Sequence, residues 1–296
     1  MMEIAKSLDE LRSIRKTMVG RIGLVLTMGA LHEGHLSLAR QARTDNDIVI
    51  ATIFVNPTQF SPDEDLDAYP RDLDGDLAKF EGTGVNLVFT PTPNMMYPSG
   101  YQTYVNVESV TQKLEGTKRP SHFRGVTTIV AKLFNLTQPD AAYFGQKDAQ
   151  QVIVIRRMAY DLNFPLEIIV CPTAREHDGL AMSSRNAYLT PDERQYASLL
   201  YRALKSAGNA YDKGERNILQ LEETIIDLLN HEPRINIQYV SIVNARTLND
   251  ISLAEDEPLL ALGAITLGKT RLIDNILLPQ SLNNFNGLNQ ILGVVE

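Results

Sequence analysis

Residues 22–35 read I-G-L-V-L-T-M-G-A-L-H-E-G-H, and this stretch decides the fold class. The apolar run Ile22–Leu26 predicts a buried strand, a glycine-containing turn follows it, and helical periodicity begins near His35. Such a turn presents backbone amides and the positive end of the helix dipole to whatever lies above the strand. The stretch therefore predicts a site for an anionic group, and a nucleotide phosphate is its natural ligand.

Further strand-like apolar runs alternate with segments of helical periodicity along the first part of the chain. They are Ile48–Val55, Val85–Phe89, Ala141–Phe144 and Leu166–Val170. Alternation of this kind is typical of a doubly wound, mostly parallel α/β sheet. We therefore expect a Rossmann-like domain over residues 1–175, whose amino terminus, Met1–Lys16, is a charged helix.

The pattern changes after Gly179. A capped helix is predicted at Thr190, and a second helix near Asn217–Asn230. Strand candidates follow around residues 237–243, 259–265 and 272–277. We expect a smaller α+β domain over residues 176–282 and a polar, peripheral tail over residues 283–296.

Composition excludes several classes of function. The chain has 296 residues, 44% of them apolar, and a formal net charge of −8. Binding to a phosphate backbone needs clustered Lys and Arg, so a nucleic-acid partner is not expected. No apolar run approaches the roughly 20 residues that span a bilayer, so no membrane association is expected. The single cysteine, Cys171, indicates a reducing compartment, and the cytoplasm is the expected location.

His32 and His35 are the first candidate catalytic residues. Their spacing suits zinc, yet neither a cysteine nor a third histidine stands nearby to complete a tetrahedral site, so no metal site is predicted. Histidines at a helix start are often only satisfied polar groups. Here Gly29 and Gly34 allow a ligand to approach the backbone, which favours phosphate contact.

A second candidate segment, Phe144–Asp148, again follows a strand and precedes a helix. In open α/β sheets ligands bind at the carboxyl edge of the strands, so Lys147 is predicted to share the phosphate site with the two histidines. The alternative is that Asp148 caps the helix and Lys147 is solvated, and Asp148 can serve both as a cap and as an acceptor for a ribose hydroxyl.

The third candidate is the small polar loop Gly179–Asn186, where the chain changes domains. Ser183, Ser184 and Arg185 offer two hydroxyls and a guanidinium that suit triphosphate oxygens. An ordinary turn with Arg185 in a surface ion pair is the alternative. Together with the H-x-G-H segment, the loop resembles the phosphate clamps of the class I aminoacyl-tRNA synthetase and nucleotidyltransferase superfamily.

Within that superfamily, five segments resemble the pantothenate synthetase (pantoate-beta-alanine ligase) family. They are Phe54–Phe60 (F-V-N-P-T-Q-F), Tyr69–Asp72 (Y-P-R-D), His122–Gly125 (H-F-R-G), Gly145–Gln151 and Ala181–Asn186. The resemblance runs in order over nearly the whole chain, apart from the tail. It implies ATP-dependent condensation of pantoate with β-alanine through a pantoyl adenylate, with release of AMP and pyrophosphate.

The resemblance also assigns roles to individual residues. It implies catalytic roles for His32, His35 and Lys147, with His35 at the family's proton-donor position. Residues assigned to ATP are Met28, Gly29, Ala30, Leu31, His32, Glu33, Gly34, His35, Gly145, Gln146, Lys147, Asp148, Ala174, Met182, Ser183, Ser184 and Arg185. Those assigned to pantoate are Gln59, Gln151 and, as a weaker candidate, Asn56, which the turn before Pro57 explains equally well. Magnesium is expected mainly on the ATP phosphates, and a homodimer is expected from the family alone.

The segment between Pro57 and Pro70 contains the acidic run Asp63, Glu64, Asp65 and Asp67. Charge runs are generally solvated, so we interpret it as part of a mobile lid rather than a magnesium cage. Two other functions remain open on the residues alone. One is a nucleotidyltransferase that acts on a phosphorylated acceptor, and the other is a noncatalytic nucleotide sensor.

Overall fold

The computed structural model describes residues 2–62, 64–254 and 257–294. Its strands are β1 (Glu3–Ala5), β2 (Ile22–Thr27), β3 (Ile48–Ile53), β4 (Leu87–Phe89), β5 (Ala141–Gly145), β6 (Glu167–Cys171), β7 (Ile235–Asn244), β8 (Leu259–Leu267) and β9 (Thr270–Leu278). Its helices are α1 (Leu8–Thr17), α2 (Glu33–Asp45), α3 (Leu73–Glu81), α4 (Pro93–Met96), α5 (Glu115–Lys118), α6 (His122–Thr137), α7 (Ala149–Asp161), α8 (Pro191–Arg194), α9 (Leu199–Asp212), α10 (Ile218–Asn230) and α11 (Phe285–Ile291). Within these ranges no helix has both the length and the apolar character needed to cross a membrane.

The first six strands form one sheet in the order β1-β4-β3-β2-β5-β6. The pairs β1/β4, β4/β3, β3/β2 and β2/β5 are all parallel. The chain builds outward from β2 to β3 and β4, and then returns to place β5 on the other side of β2. This reversal makes the carboxyl ends of β2 and β5 the switch point of the sheet, where open α/β folds bind their ligands. The predicted α/β class is confirmed.

The last three strands form an antiparallel sheet in the order β7-β8-β9. Central strand β8 is buried along nearly its whole length. Helices α9 and α10 supply Leu204, Leu221 and Ile225 to one core with this sheet. The predicted smaller α+β part is therefore confirmed.

The chain divides into two compact units. One comprises Met1–Phe144 and Val154–Ile169, and the other comprises Gly145–Ile153 and Val170–Glu296. The second unit thus includes the segment that carries Lys147. The boundary predicted at residue 175 was drawn along the linear chain and stays a prediction.

The amino terminus differs from its prediction as a helix. Residues Glu3–Ala5 form β1, which pairs with β4 through Glu3 and Leu87, while Met1 lies outside the described residues. Helix α1 begins only after Ser7, with a capping box between Ser7 and Glu10. A three-residue strand is too short to show an alternating pattern, so only its long-range partner defines it.

The tail is not peripheral, contrary to its prediction. Helix α11 places Leu288 in the core, and Leu292 is buried after it. The side chain of Asn289 accepts a hydrogen bond from the backbone nitrogen of Val170 and donates to its carbonyl oxygen. Asn283, Asn284 and Asn289 thus satisfy main-chain groups of the unit, whereas Asn286 is exposed. Val295 and Glu296 lie outside the described residues.

Candidate active site

The turn from β2 into α2 has a left-handed backbone at two successive residues. Gly29 has φ +83° and Ala30 has φ +50°. A Cβ on Gly29 would lie 3.0 Å from a carboxylate oxygen of Asp76, so glycine fits both the conformation and the space. Helix α2 then begins at Glu33, close to the predicted start.

The two histidines cap this helix reciprocally. His32 is the N-cap, and its Nδ1 accepts from the backbone nitrogen of Gly34 at 3.2 Å. Nδ1 of His35 accepts from the backbone nitrogen of His32 at 3.4 Å, and the two ring centroids are 4.1 Å apart. A neutral imidazole that accepts at Nδ1 carries its proton on Nε2. Capping therefore makes Nε2 of each ring a hydrogen-bond donor, which suits a phosphate oxygen.

Asp76 on α3 holds the turn from a distance. Its carboxylate is buried and accepts from the backbone nitrogens of Ala30 at 2.8 Å and Leu31 at 2.7 Å. Lys79, one turn later, donates from Nζ to the Leu31 carbonyl at 2.9 Å and lies 3.7 Å from the Asp76 carboxylate. Sequence reasoning missed both residues. One signal in the sequence could have identified Asp76. It lies four residues before Phe80, and residues at this spacing share the helix face that packs on the core.

Gln59 and Asn56 form a buried amide pair in the same unit. Asn56 Nδ2 donates to Gln59 Oε1 at 3.0 Å and to the Gly125 carbonyl at 3.2 Å, while its Oδ1 accepts from Tyr97 at 2.8 Å. Gln59 Nε2 in turn donates to Met28 Sδ at 2.7 Å. Asn56 is thus fully engaged with protein groups, and its geometry is that of a residue that orients Gln59. Met28 links Gln59 to the histidine turn.

His122 holds the backbone of Gln59. Its Nδ1 lies 2.8 Å from the Gln59 carbonyl oxygen, and its Nε2 lies 3.2 Å from a guanidinium nitrogen of Arg119. Arg119 also makes two 2.6 Å hydrogen bonds to Glu64. Burial, with the Arg119 charge as a smaller cause, lowers the pKa of His122 to about 4. His122 is therefore a neutral structural imidazole. Asp63, the first residue of the predicted acidic run, lies outside the described residues.

Lys147 lies in a 3₁₀ turn, Gln146–Asp148, between β5 and α7. Its ammonium is 3.6 Å from the Asp148 carboxylate, and the lysine side chain is 22% exposed, so a ligand can still reach it. The turn is held from β9, where Asn275 Nδ2 donates to the carbonyls of Gln146 and Lys147, each at 2.9 Å. Gln146 is buried and donates to Asn283 at 2.9 Å.

The segment Met182–Arg185, here called the serine loop, belongs to the same unit as Lys147. Met182 donates through its backbone nitrogen to the Ala174 carbonyl at 2.9 Å, which closes the turn that precedes the loop. Ser183 caps the short 3₁₀ helix Ser184–Tyr188 by accepting from the Arg185 backbone nitrogen at 3.3 Å. Arg194 braces the turn by pairing with Glu176 and Asp178, an interaction that lowers the pKa of Asp178 to about 2.

The predicted residues thus fall into two groups. Met28, His32, His35, Asn56 and Gln59 are linked within the first unit by the hydrogen bonds above. The first unit also contains the other predicted residues of the turn, namely Gly29–Leu31, Glu33 and Gly34, and the second unit contains Gly145–Asp148, Gln151, Ala174 and Met182–Arg185. Gln151 is half-buried near the start of α7.

A switch-point sheet with a histidine-capped turn defines an α/β protein of the phosphate-binding type. Its family follows from comparison with known proteins. The family model described as pantoate-beta-alanine ligase matches residues 3–277. The pantothenate synthetase of Acetivibrio thermocellus is 53% identical over 279 residues, which covers 93% of this chain and 99% of that protein.

Solved structures agree with this assignment. The crystal structure of pantothenate synthetase from Thermus thermophilus superposes with a TM-score of 0.89 at 44% identity, covering 93% of this chain and 99% of that one. A pantoate-beta-alanine ligase from Francisella tularensis, complexed with beta-gamma ATP and beta-alanine, gives a TM-score of 0.78 at 35% identity, with 94% and 98% covered. The chain belongs to the pantoate-beta-alanine ligase family and is accordingly an enzyme of the ligase class.

Proposed function

We propose that this chain joins pantoate to β-alanine at the expense of ATP, and that a pantoyl adenylate is the intermediate. The observation that carries the proposal is the family match over residues 3–277, which includes both the histidine turn and the Lys147 turn. The Francisella tularensis relative was crystallised with beta-gamma ATP and beta-alanine, which supports the same substrates here.

In the first step, a pantoate carboxylate oxygen attacks the α-phosphorus of ATP. The new P–O bond forms as the bond from the α-phosphorus to the α,β-bridging oxygen breaks, and pyrophosphate leaves. Negative charge builds up on the transferring phosphoryl group, so fixed positive groups accelerate the step. We assign this role to Lys147 and Arg185, with Ser183, Ser184 and the backbone amides of residues 28–35 as further ATP contacts.

The two imidazoles act as hydrogen-bond donors in this scheme. Because both Nδ1 atoms accept from backbone nitrogens, the neutral rings carry their protons on Nε2. A pyrophosphate leaving group scarcely needs a general acid, so His35 and His32 stabilise the phosphoryl oxygens without transferring a proton.

In the second step, the neutral amine of β-alanine attacks the acyl carbon of the adenylate. The C–O bond to AMP breaks, an amide forms, and the nitrogen loses its extra proton to solvent. Activation is needed because a free carboxylate has a strongly basic leaving oxygen, whereas AMP is a good leaving group. We assign Gln59 and Gln151 to pantoate, with Asn56 orienting Gln59 and β-alanine docking later beside Gln59.

Magnesium enters with ATP. Among the residues that the structure describes, no group of three or more His, Cys, Asp or Glu side chains is arranged to hold a metal ion. Magnesium usually takes one or two carboxylates plus substrate phosphates, and Asp148 beside Lys147 offers one carboxylate. We propose that the ATP phosphates are its main ligands. We further propose a cytoplasmic homodimer.

The decisive experiment separates the two steps. Enzyme, Mg-ATP and pantoate without β-alanine should release about one equivalent of pyrophosphate per active site in a burst, because the adenylate stays bound. AMP and pantothenate should accumulate only after β-alanine is added. Pyrophosphate release that requires a phosphorylated acceptor would instead indicate a nucleotidyltransferase. ATP binding without turnover under any of these conditions would indicate a nucleotide sensor.

A further inference from the structure

Strand β9 contains two adjacent buried polar residues that the proposed chemistry does not use. Asp274 and Asn275 interrupt the apolar run Leu272–Leu278 and are 4% and 2% exposed. Successive residues of a strand point to opposite faces, so the pair reaches two different surroundings. A buried polar pair in a small sheet costs free energy unless its partners offset that cost, so its partners indicate its purpose.

Asn275 contacts the turn Gln146–Asp148, here called the lysine turn. Its Nδ2 donates to the carbonyl oxygens of Gln146 and Lys147, each at 2.9 Å. These two partners are 129 and 128 residues away in the sequence. Two hydrogen bonds from one amide to consecutive carbonyls fix the orientation of both peptide units. They therefore restrict the direction in which the Lys147 side chain leaves the backbone.

Asp274 reaches the turn before the serine loop. Its carboxylate makes two hydrogen bonds to Arg175, at 2.6 and 2.9 Å. Arg175 also donates to the Gly179 carbonyl at 3.1 Å, and its guanidinium lies 3.6 Å from the centroid of the Tyr201 ring. Gly179 has φ +95°, and a Cβ there would lie 2.5 Å from Tyr201. The turn 175–181 is therefore clamped on both sides, and it leads directly into Met182–Arg185.

We infer that Asp274 and Asn275 are positioning residues, which set the lysine turn and the serine loop in one fixed arrangement for the phosphoryl-transfer step. The backbone nitrogen of Asn275 also donates to the Asp274 carboxylate at 2.8 Å, which couples the two anchors. The inference rests on the proposed function for its chemistry. It gives the carboxyl-terminal sheet a catalytic purpose beyond packing.

The test compares Asn275→Asp with a matched control, Asn289→Asp. Each variant replaces an amide that donates to two backbone carbonyls, but Asn289 serves Val170 and Phe285, outside both turns. Asn275→Ala is included because it removes the donor without placing a carboxylate oxygen against the carbonyls. The pyrophosphate burst rate with Mg-ATP and pantoate is measured for each variant, together with its melting temperature and its Kd for ATP.

We expect Asn275→Asp to slow the burst by about 10- to 100-fold, since a displacement of about 1 Å at a reacting group can cost that much. Asn275→Ala should slow the burst less than Asn275→Asp does. Asn289→Asp should lower the melting temperature by a similar amount but leave the burst rate almost unchanged. In a Lys147→Ala background, Asn275→Ala should cost almost nothing further, because the group that it positions is gone.

Two results would overturn the inference for Asn275. One is that the effects of Asn275→Ala and Lys147→Ala on the burst rate are fully additive, and the other is that Asn275→Ala and Asn289→Asp slow the burst equally.

The second anchor is tested at Asp274. Asp274→Asn leaves the Arg175 guanidinium without its carboxylate, whereas the double variant Asp274→Asn with Arg175→Gln removes both charges. Both the single and the double variant should slow the burst when the rest of the protein is wild type. In an Arg185→Ala background, neither should slow it much further. A wild-type protein that gives no burst at all would contradict the proposed function instead, so the two failures are distinguishable.

Discussion

We propose that the histidine turn of the first unit and the lysine turn of the second both act on the ATP phosphates, and the two turns are built differently. His32 and His35 hold their own turn, because each ring caps the helix that it begins. The Lys147 ammonium pairs with Asp148 of its own turn, but Asn275 fixes the backbone of that turn from 128 residues away. A self-capping motif supplies many of its own contacts, whereas the backbone of the lysine turn is fixed by a residue outside it. The difference predicts which variants damage only chemistry and which also damage structure.

Lys147→Ala should have the largest effect, because the lysine contributes charge and leaves its turn intact. We expect adenylate formation to slow by about 10²- to 10³-fold, the usual loss when one preorganised electrostatic group is removed from a transition state. Single-turnover pyrophosphate release measures this rate, and the melting temperature should stay close to wild type. Lys213→Ala, an exposed lysine of the same unit, is the control. An unchanged single-turnover rate would show that Lys147 is only a surface charge.

Asp76→Asn tests the long-range contact of α3 with the backbone nitrogens of the histidine turn. The amide keeps one acceptor but brings a donor close to the backbone nitrogens of Ala30 and Leu31. We expect kcat/KM for ATP to fall by about 10- to 100-fold through displacement of the turn. The unfolding free energy should fall by about 1–3 kcal/mol, since a buried donor loses its acceptor.

Asp74→Asn on the same helix is the matched control, because Asp74 is exposed. If Asp76→Asn lowers stability and leaves kcat/KM for ATP unchanged, then the histidines keep their turn in place without help. That outcome would make the contrast with the lysine turn sharper than we propose.

Gln59→Ala should affect one substrate only. Loss of a hydrogen bond to pantoate should raise KM for pantoate by about tenfold, as expected for one hydrogen bond of about 1.4 kcal/mol. The Kd for ATP, measured by calorimetry, should stay within error of wild type. Gln102→Ala, at an exposed position, controls for general effects of truncation. Equal losses for both substrates would contradict the division between acid and nucleotide residues.

The same contrast explains what the sequence could predict. The strand, turn and helix around His32 are encoded within 14 consecutive residues, so their positions were predicted almost to the residue. The residues Val126, Ile129 and Leu133 of α6 recur with helical periodicity and are buried, which shows how a local pattern identifies a core face. The single cysteine, Cys171, is buried.

Long-range anchors could not be predicted in this way. Asp76, Asn275 and Asn283 are polar residues whose partners are distant in sequence, and polar side chains are usually read as solvated. Asn283 accepts from the side chain of Gln146, 137 residues away, at 2.9 Å and also pairs with the backbone of Leu277, which is why a tail predicted to be peripheral is part of the second unit. A polar residue within an apolar strand or helix face is the signal that should have carried more weight.

The smallest predicted effect concerns a third histidine, which contrasts with the other two. His122 is buried, and burial followed by the Arg119 charge lowers its pKa to about 4, whereas an unfolded chain titrates near 6.5. Between these values the unfolded chain binds a proton that the folded one does not, so stability falls as the pH falls from 6.5 towards 4.

Between pH 7.5 and 5.0 the wild type should lose about 2 kcal/mol more unfolding free energy than His122→Gln, whose amide can still donate to the Gln59 carbonyl. Urea unfolding at the two pH values measures the difference, with the exposed His231→Gln as control. Parallel pH profiles for wild type and His122→Gln would mean that His122 titrates normally, and that this imidazole is as accessible to protons as an ordinary surface histidine.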